Sequence, residues 1–464
     1  MSRTPHLDAL AARGVSFTRH YSQAAPCGPG RACLYTGTYQ STNRVVFNGT
    51  PLDDRFDNVA RTARRAGYIP TLFGYTDQAV DPRTVDDPGD PRLGTYEGVL
   101  PGFEVALDLT HQRLPWNRWV TDHGFEVHDD PDEMLATEPE RPAEVGISAF
   151  VTAEFERWLG VQSGPWFAHL SHLRPHPPYA AAGHWATAFA PADVDLPIGA
   201  GPDRHSLHDT MLGIPGLAAP TDEHEMRQIR AQYLGMIGDV DEQVGRALAA
   251  VAATGQLDDT VVIVTSDHGD QLGDHGLLGK LGWFEASYAI PCIIADPRKP
   301  AAHGNLVTSF TENVDVLPTI CDAMGVAVPA QCDGASLTPF LDGEPAPPQW
   351  RTAAVWEFDW RALALMSGFD SRIPGNSLAE MNLCVWRSTD VAYVQFGDGS
   401  WQCFDLLADP TWRTPLNDPN RIFDAARGML TWRSRNLDRT LSDTLLEGKV
   451  LGRLPERPSW APGE

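Results

Sequence analysis

The chain has 464 residues, of which 42% are hydrophobic and 21% are charged, and this ordinary globular composition excludes disorder or coiled coil over most of the length. Lys plus Arg total 36 and Asp plus Glu total 61, and the resulting net charge of −25 argues against nucleic acid or an anionic membrane as a partner. Seven widely spread cysteines do not predict a disulfide framework. We see no leader segment and no run of 18 apolar residues, so we expect a cytoplasmic enzyme without a membrane span.

Helix and strand patterns alternate along the first two thirds of the chain. They predict helices over residues 4–14, 56–67, 147–159 and 222–255, and strands over residues 68–75, 166–170, 260–265 and 290–295. The last two strands are continuous apolar runs, which is typical of strands that are buried on both faces. Such alternation predicts an α/β domain with a mainly parallel sheet.

Two stretches rich in Pro, Gly and Asp interrupt the pattern. Residues 81–90 are predicted to form a surface loop, and residues 342–348 are the best linker candidate. Beyond this linker, residues 353–360 and 385–396 suggest strands exposed on one face, and a polar helical run covers about residues 424–446. We therefore predict a catalytic domain over residues 1–340 and a smaller α+β domain over residues 349–464.

The stretch P-C-G-P-G-R at residues 26–31, followed by T-G at residues 36–37, is the most informative motif. Pro29 suits the first turn of a helix, which would place Cys27 beside a helix N-terminus. Free N–H groups and the helix dipole favour an anion at that place, and Arg31 lies about one turn further along. A buried cysteine in a Gly/Pro turn explains the local pattern about equally well, so these residues alone leave both interpretations open.

A second candidate site segment is T-S-D-H-G-D at residues 265–270, which follows an apolar strand. The C-terminal end of a parallel strand is where α/β folds place functional groups. Asp267 and His268 offer a hard oxygen and a borderline nitrogen ligand for a divalent cation. A polar turn after a strand is the alternative interpretation.

Together these segments resemble the sulfatase family of the alkaline phosphatase-like superfamily, in which Cys-x-Pro-x-Arg with a following Thr-Gly marks a cysteine that is converted to formylglycine. Gly30 departs from the Ser, Ala or Thr that is usual in this motif. The pair Asp267-His268 is similar to the phosphonate monoester hydrolase and phosphodiesterase branch, whereas arylsulfatases often have Asp-Asn. The resemblance covers most of the chain. It implies an alkaline phosphatase-like α/β sandwich with a mainly parallel central sheet, plus a smaller C-terminal α+β domain.

The resemblance also assigns roles to single residues. It implies that Cys27, Arg31, His176 and Lys280 are catalytic, that Asn48 and Tyr75 bind substrate, and that Cys27, Asp267 and His268 hold one divalent cation, either Ca²⁺ or Mn²⁺. His176 lies in R-P-H-P-P at residues 174–178 and is implied to protonate the leaving group. Asn48 lies in N-G-T-P at residues 48–51, which is also a glycosylation sequon. Asp77 stands where a neutral hydroxyl residue is expected.

The function implied is hydrolysis of a small anionic sulfate, phosphonate or phosphate ester through hydrated formylglycine at position 27. One hydroxyl of the hydrate attacks sulfur or phosphorus, and the other expels the product anion. A formylglycine-generating or other sulfatase-maturing enzyme is the implied partner, and a homo-oligomer is left open. The family's first strand, which ends in an acidic metal-binding pair, is not recognised in this sequence. The alternative is therefore an N-terminally truncated, catalytically impaired anion-binding relic of the same fold.

Overall fold

The computed structural model describes residues 3–110, 112–361 and 377–436. Its helices, short 3₁₀ turns aside, are α1 (Pro5–Ala12), α2 (Cys27–Thr36), α3 (Gln40–Asn43), α4 (Val59–Arg65), α5 (Leu114–Asp122), α6 (Pro131–Ala136), α7 (Ile147–Leu159), α8 (Ser206–Leu212), α9 (Glu223–Ala253), α10 (Val316–Met324), α11 (Thr338–Leu341) and α12 (Pro419–Arg435). Its strands are β1 (Val15–Phe17), β2 (His20–Tyr21), β3 (Pro70–Gly74), β4 (Glu104–Asp108), β5 (Phe167–Leu170), β6 (Val262–Thr265), β7 (Cys292–Ala295), β8 (Asn305–Val307), β9 (Thr311–Glu312), β10 (Ala353–Asp359), β11 (Asn382–Ser388), β12 (Val391–Phe396) and β13 (Trp401–Asp405).

The strands before residue 340 form a mainly parallel arrangement. One sheet has the order β4-β3-β5, a second has the order β6-β7-β1-β8, and β2 pairs with β9. Among the described residues, four of the six strand pairs in these sheets are parallel, and only β7 runs antiparallel to its two neighbours. The predicted α/β class is confirmed.

Helix α7 packs its periodic apolar residues against the sheet and so forms one layer of the α/β domain. It packs against β3, β4 and β5 on one side and against α9 on another. Phe150 and Phe155 are buried there with Phe73 of β3. Helix α9 begins as the sequence predicts, because the Asp222 side chain accepts a hydrogen bond of 2.8 Å from the backbone N–H of Glu225.

Strand β6 corrects one expectation. Residues 260–265 do contain a strand, but every residue of β6 is half-buried rather than buried on both faces. Within the described part of the chain, β6 pairs only with β7 and therefore lies at a sheet edge. Strand β7 lies between β6 and β1 and is largely buried, as predicted.

The strands after residue 350 form a separate antiparallel sheet in the order β10-β11-β12-β13. The expectation of strands exposed on one face is wrong for β10, whose seven residues are all buried. One face of β10 contributes Trp356 and Phe358 to a core shared with Tyr21 and Trp283. The other face is covered by α12, where Val355 packs in a cluster with Met429. A strand between two apolar partners needs no exposed face.

Two further boundaries differ from the sequence prediction. The run at residues 385–396 is a pair of strands, β11 and β12, joined at Thr389 and Asp390. Helix α12 begins at Pro419, earlier than predicted, because Asp418 caps the N–H groups of Asn420 and Arg421. The part of the predicted helical run beyond residue 436 lies outside the described residues. The division of the chain near residues 340–349 stays a prediction.

The antiparallel sheet is joined to the segment that leads into α2. Trp356 stacks on Tyr21, with ring centroids 5.7 Å apart, and on Tyr288, with centroids 4.8 Å apart. The backbone N–H of Glu357 donates to the carbonyl of Gln23 at 2.9 Å. These contacts place β10 directly beside the residues that precede Cys27.

Two predictions about the whole chain can also be compared with the structure. Cys27, Cys33, Cys292, Cys321, Cys384 and Cys403 are free thiols. Across the ranges described above, none of the helices has the length and apolar character needed to cross a bilayer.

Candidate active site

Cys27 is the first residue of α2, as the sequence pattern predicts. Pro26 precedes it in an extended conformation, and only 5% of Cys27 is exposed. The next backbone N–H, that of Gly28, donates to the side-chain oxygen of Asn48 at 2.8 Å. Asn48 therefore satisfies one of the free donors at the N-terminus of the helix.

Gly30 lies where helix α2 meets the turn after β6. A Cβ atom at this position would lie 2.5 Å from the carbonyl oxygen of Asp267 and 3.0 Å from that of Ala24. Real Cβ atoms do not approach a backbone oxygen that closely, so the two segments can be this close only because residue 30 is glycine. This contact gives a physical reason for the departure from the usual motif.

Arg31 is buried and its guanidinium is held on several sides. Its Nε donates to Oδ2 of Asp267 at 2.9 Å, and its Nη1 donates to Oγ of Ser171 at 2.9 Å and to the carbonyl of Tyr75 at 3.0 Å. The ring of Tyr75 also lies against the guanidinium, 4.4 Å from ring centroid to Cζ. Arg31 is therefore fixed as a rigid cation beside the end of β6.

Three potential metal ligands come together next to it. Side-chain donor atoms of Cys27, Asp267 and His268 all lie within 4.8 Å of one another. Nε2 of His268 is 3.2 Å from Sγ of Cys27, and Nδ1 of His268 lies 2.8 Å from the carbonyl of Gly269. The carbonyl contact at Nδ1 orients the ring, so that Nε2 faces Cys27. The donor set of a carboxylate, an imidazole and a sulfur position suits a divalent cation.

His176 and Lys280 form a pair in the same region. Nζ of Lys280 is 3.0 Å from Nε2 of His176, and Nδ1 of His176 is 2.6 Å from the carbonyl of Pro177. The contact at Nδ1 orients the ring, so that Nε2 of His176 faces the ammonium group of Lys280. The two residues are 104 positions apart in the sequence, and the fold brings them together.

The electrostatics link these groups into one site. Burial by itself raises the pKa of the Cys27 thiol, but the positive charges of Lys280 and His268 and the closeness of His176 hold it well below its ordinary value. Burial likewise opposes charge on Asp267, and nearby His268 and Arg31 nevertheless hold its pKa below the ordinary range. Against the effect of burial, the charge of Cys27 raises the pKa of Lys280. The site therefore concentrates positive charge around position 27.

Asp77 lies close to this cluster and is a buried carboxyl group with a left-handed backbone conformation. Its side chain is 5% exposed, its Oδ2 is 3.8 Å from Nε of Arg31, and its backbone has a φ of +52°. Its Oδ1 is buried and has no hydrogen-bond partner among the described residues. Burial raises the pKa of Asp77 to about 7, although the charge of Arg31 opposes the shift. The chain thus places a strained, buried carboxyl group where a hydroxyl residue was expected.

Sequence reasoning missed several side chains that support the site. Ser171 follows strand β5 and binds Arg31, and its position at the C-terminal end of a parallel strand was an available signal. Asp270 accepts hydrogen bonds from the hydroxyl of Tyr179 and from the N–H of Gly279, next to Lys280. Glu138 pairs with Arg174 below the His176 loop, and no local pattern marks it.

Comparison with known proteins decides the family. The sequence model of the family described as Sulfatase matches residues 1–326. This is more than half of the chain, and it includes every candidate residue named above. The chain belongs to the sulfatase family. It is accordingly an ester hydrolase with the alkaline phosphatase-like fold.

Relatives in this family match almost the whole chain. The multifunctional alkaline phosphatase superfamily protein PehA of Trinickia caryophylli is 36% identical over 95% of this chain and 91% of its own length. The crystal structure of the phosphonate monoester hydrolase of Agrobacterium radiobacter is 39% identical, covers 98% of this chain and 95% of that one, and has a TM-score of 0.87. The phosphonate monoester hydrolase of Silicibacter pomeroyi is 34% identical over 97% and 95%, with a TM-score of 0.85.

Proposed function

We propose that this sulfatase-family enzyme hydrolyses phosphonate monoesters or phosphodiesters in preference to sulfate monoesters, using formylglycine made from Cys27. The observation that carries the proposal is the cluster of Cys27, Asp267 and His268, which faces a Lys280–His176 pair. Two phosphonate monoester hydrolases, at 39% and 34% identity over nearly the whole chain, support the substrate class.

Cys27 is suited to become the nucleophile because the surrounding cations favour negative charge at its side chain. Its place as the first residue of α2 adds the positive end of the helix dipole. Oxidation to formylglycine would put a hydrated aldehyde, with a hydroxyl nucleophile, at this position. We infer that a formylglycine-generating or other sulfatase-maturing enzyme carries out that oxidation.

The residues present fit a divalent cation. The ligands would be Asp267, His268 and modified residue 27, with Ca²⁺ or Mn²⁺ as the ion. When bound, the cation supplies the charge that acidifies the nucleophile and polarises the ester. Asp267 is shared with Arg31, whose Nε it accepts at 2.9 Å, so the same carboxylate would orient Arg31 and hold the ion.

Arg31 and Lys280 would stabilise the equatorial oxygens of the transferred group as negative charge develops. Arg31 is preorganised for this role by Asp267, Ser171 and the carbonyl of Tyr75, so little reorganisation is needed during the reaction. Asn48, which is anchored to the N–H of Gly28, would bind a substrate oxygen at the rim, with Tyr75 below Arg31.

His176 would deliver a proton to the leaving oxygen. In the structure its Nε2 faces the ammonium group of Lys280 at 3.0 Å, so the pair holds a proton beside the site in which the ester is cleaved. A proton is needed most when the leaving group is a strongly basic alkoxide and least when it is a stabilised phenolate.

The non-catalytic relic has less support. Arg31, Asp267, His268 and Cys27 form one bonded cluster, and His176 and Lys280 both influence the pKa of the Cys27 thiol. A protein that only bound an anion would need neither the potential ligands of a cation nor a potential proton donor at this place.

The test is a comparison of kcat/KM on esters that share the 4-nitrophenolate leaving group. Protein co-expressed with a maturing enzyme should turn over 4-nitrophenyl phenylphosphonate and bis(4-nitrophenyl) phosphate faster than 4-nitrophenyl sulfate. Cys27→Ala, prepared in the same way, measures contaminating activity. A clear preference for the sulfate ester would refute the substrate class, and equal rates for Cys27→Ala and wild type would refute the nucleophile.

A further inference from the structure

Arg174 lies beneath the loop that carries His176. It is 3% exposed, and its Nη1 donates to the backbone carbonyl of His176 at 2.7 Å and to that of Pro178 at 2.8 Å. The intervening carbonyl, that of Pro177, is the one that binds Nδ1 of the His176 ring. Nη1 of Arg174 therefore holds the carbonyls of His176 and Pro178, which flank the Pro177 carbonyl that orients the imidazole.

Glu138 holds the other side of the same guanidinium. Nε of Arg174 donates to Oε2 of Glu138 at 2.7 Å, and both side chains are only 1% exposed. Oε1 of Glu138 accepts from the N–H of Ile147, the first residue of α7, at 2.7 Å. Nη2 of Arg174 also donates to the carbonyl of Leu135 in α6 at 3.0 Å. The His176 loop is thus attached to two helices through one buried ion pair, which we call the Arg174–Glu138 clamp.

We propose that the Arg174–Glu138 clamp is a positioning device that holds His176 in the orientation required for proton delivery to the leaving group. The inference rests on the proposed role of His176 as proton donor. Among the described residues, the hydrogen bonds of the two clamp residues go to each other and to the backbone of Leu135, Ile147, His176 and Pro178, and not to Cys27, Asp267 or His268. The clamp acts through the backbone of residues 176–178.

A purely structural role is the competing explanation, because removing one partner of a buried ion pair destabilises a fold. Arg141 offers a matched comparison in the same region. It is 4% exposed and donates to the carbonyl of Met134 at 2.7 Å and to the hydroxyl of Thr137 at 2.9 Å, and within the described ranges no hydrogen bond joins it to the His176 loop. Replacement of Arg141 tests the loss of a buried guanidinium without loss of the clamp.

The experiment uses two phosphonate monoesters that differ only in the leaving group, 4-nitrophenolate or an alkoxide. The quantity measured is the ratio of kcat/KM for the alkyl ester to kcat/KM for the aryl ester, because this ratio does not depend on the fraction of folded or converted enzyme. The variants are Arg174→Lys and Glu138→Gln, with Arg141→Lys as control and His176→Ala as reference. Arg174→Lys keeps the charge opposite Glu138 but loses Nη1, which binds the carbonyls of His176 and Pro178.

We expect the ratio to fall about 10- to 100-fold in Arg174→Lys and Glu138→Gln, which is a part of the 10²- to 10⁴-fold that a positioned general acid contributes. Arg141→Lys should leave the ratio within about 3-fold of wild type. The double variant Arg174→Lys/His176→Ala should have the same ratio as His176→Ala, because the clamp acts only through His176. Glu138→Gln provides the same test should Arg174→Lys fail to fold.

Other outcomes would overturn the inference in distinguishable ways. A ratio that falls in His176→Ala but not in the two clamp variants would refute the clamp and leave the proposed function standing. A further fall in the double variant below His176→Ala would show that Arg174 acts independently of His176. An unchanged ratio in His176→Ala itself would remove His176 as the proton donor, and the clamp with it.

Discussion

A Cβ atom at Gly30 would lie 2.5 Å from the carbonyl oxygen of Asp267. The helix that begins at the candidate nucleophile therefore touches the backbone of a candidate metal ligand, with no room for a side chain between them. This close packing connects the position of Cys27 to the position of Asp267.

The contact predicts that a residue usual in the family is harmful here. Gly30→Ser should lower the free energy of unfolding by about 1–3 kcal/mol, because the added atoms force the helix and the β6 turn apart. It should also lower kcat/KM. Thermal unfolding and ester hydrolysis check both effects, with Gly164→Ser as the control, since a Cβ at Gly164 meets no atom of the described residues within 4 Å. Full stability and activity in Gly30→Ser would contradict the packing argument.

Cys27 and Cys33 lie on the same helix and should behave oppositely. After co-expression with a maturing enzyme, peptide mass spectrometry should find formylglycine or its hydrate at position 27 and an unmodified thiol at position 33. Cys27→Ala should lose activity to background. Cys33→Ala should keep nearly normal activity, because Cys33 is fully buried in a small apolar cluster and burial raises the pKa of its thiol. Only thiol at position 27 under converting conditions would rule out the nucleophile.

Removal of the candidate ligands should be seen directly in metal content. Asp267→Asn and His268→Ala should each reduce affinity for Mn²⁺ or Ca²⁺ by more than about 10-fold, since even residues that only support a ligand cost about that much. Asp270→Asn is the matched control, because Asp270 binds the Tyr179 hydroxyl and the Gly279 N–H instead. The Asp270→Asn variant should keep its affinity for the ion but should have a lower kcat. Calorimetry and elemental analysis measure the difference, and equal loss in all three variants would contradict the assigned ligand set.

Asp239 should make stability depend on pH. Burial, reinforced by the charge of Glu138, raises its pKa to about 7, while a hydrogen bond from Gln243 and the charge of Arg174 oppose the shift. The folded state then binds the proton more tightly than the unfolded state, so Asp239 lowers stability as the pH rises from about 4 to 7.

The effect of Asp239 on the pH dependence of stability can be measured by replacing its carboxyl group with one that does not titrate. Between pH 5 and pH 8, Asp239→Asn should gain stability relative to wild type by about 3 kcal/mol at most, since one pKa unit corresponds to about 1.4 kcal/mol. Urea unfolding at both pH values measures this gain. Asp258→Asn, at an exposed position beside Arg13, is the control. A gain that is the same at both pH values would show that Asp239 does not titrate in this range.

The sequence predicts those features that depend on local patterns. The start of α2 at Cys27 follows from the Pro and Gly positions, and α7 and α9 follow from apolar periodicity with clear ends. The burial of β10 could not be predicted, because its second apolar partner, α12, comes about 60 residues later. An alternating pattern predicts one buried face of a strand and does not show whether a later element covers the other face.

The candidate site likewise contains residues that the sequence predicts and contacts that it does not predict. Cys27, Arg31, Asp267 and His268 lie in motifs that could be recognised, and the fold brings them together. The contact between Lys280 and His176 spans 104 positions, and the one between Glu138 and Arg174 spans 36. Such pairs are set by the packing of whole elements, and short sequence patterns contain no information about them.

The contact between Glu357 and the Gln23 carbonyl has a consequence for the order of events during synthesis. Cys27 is nearly inaccessible in the folded protein, and the strand that closes over the preceding segment is made about 330 residues later. At about 5–20 residues per second, a ribosome leaves the N-terminal segment without this cover for tens of seconds. We expect conversion of Cys27 in that interval. Accordingly, a peptide of residues 20–40 should be a substrate for the maturing enzyme, while folded, unconverted protein should resist it.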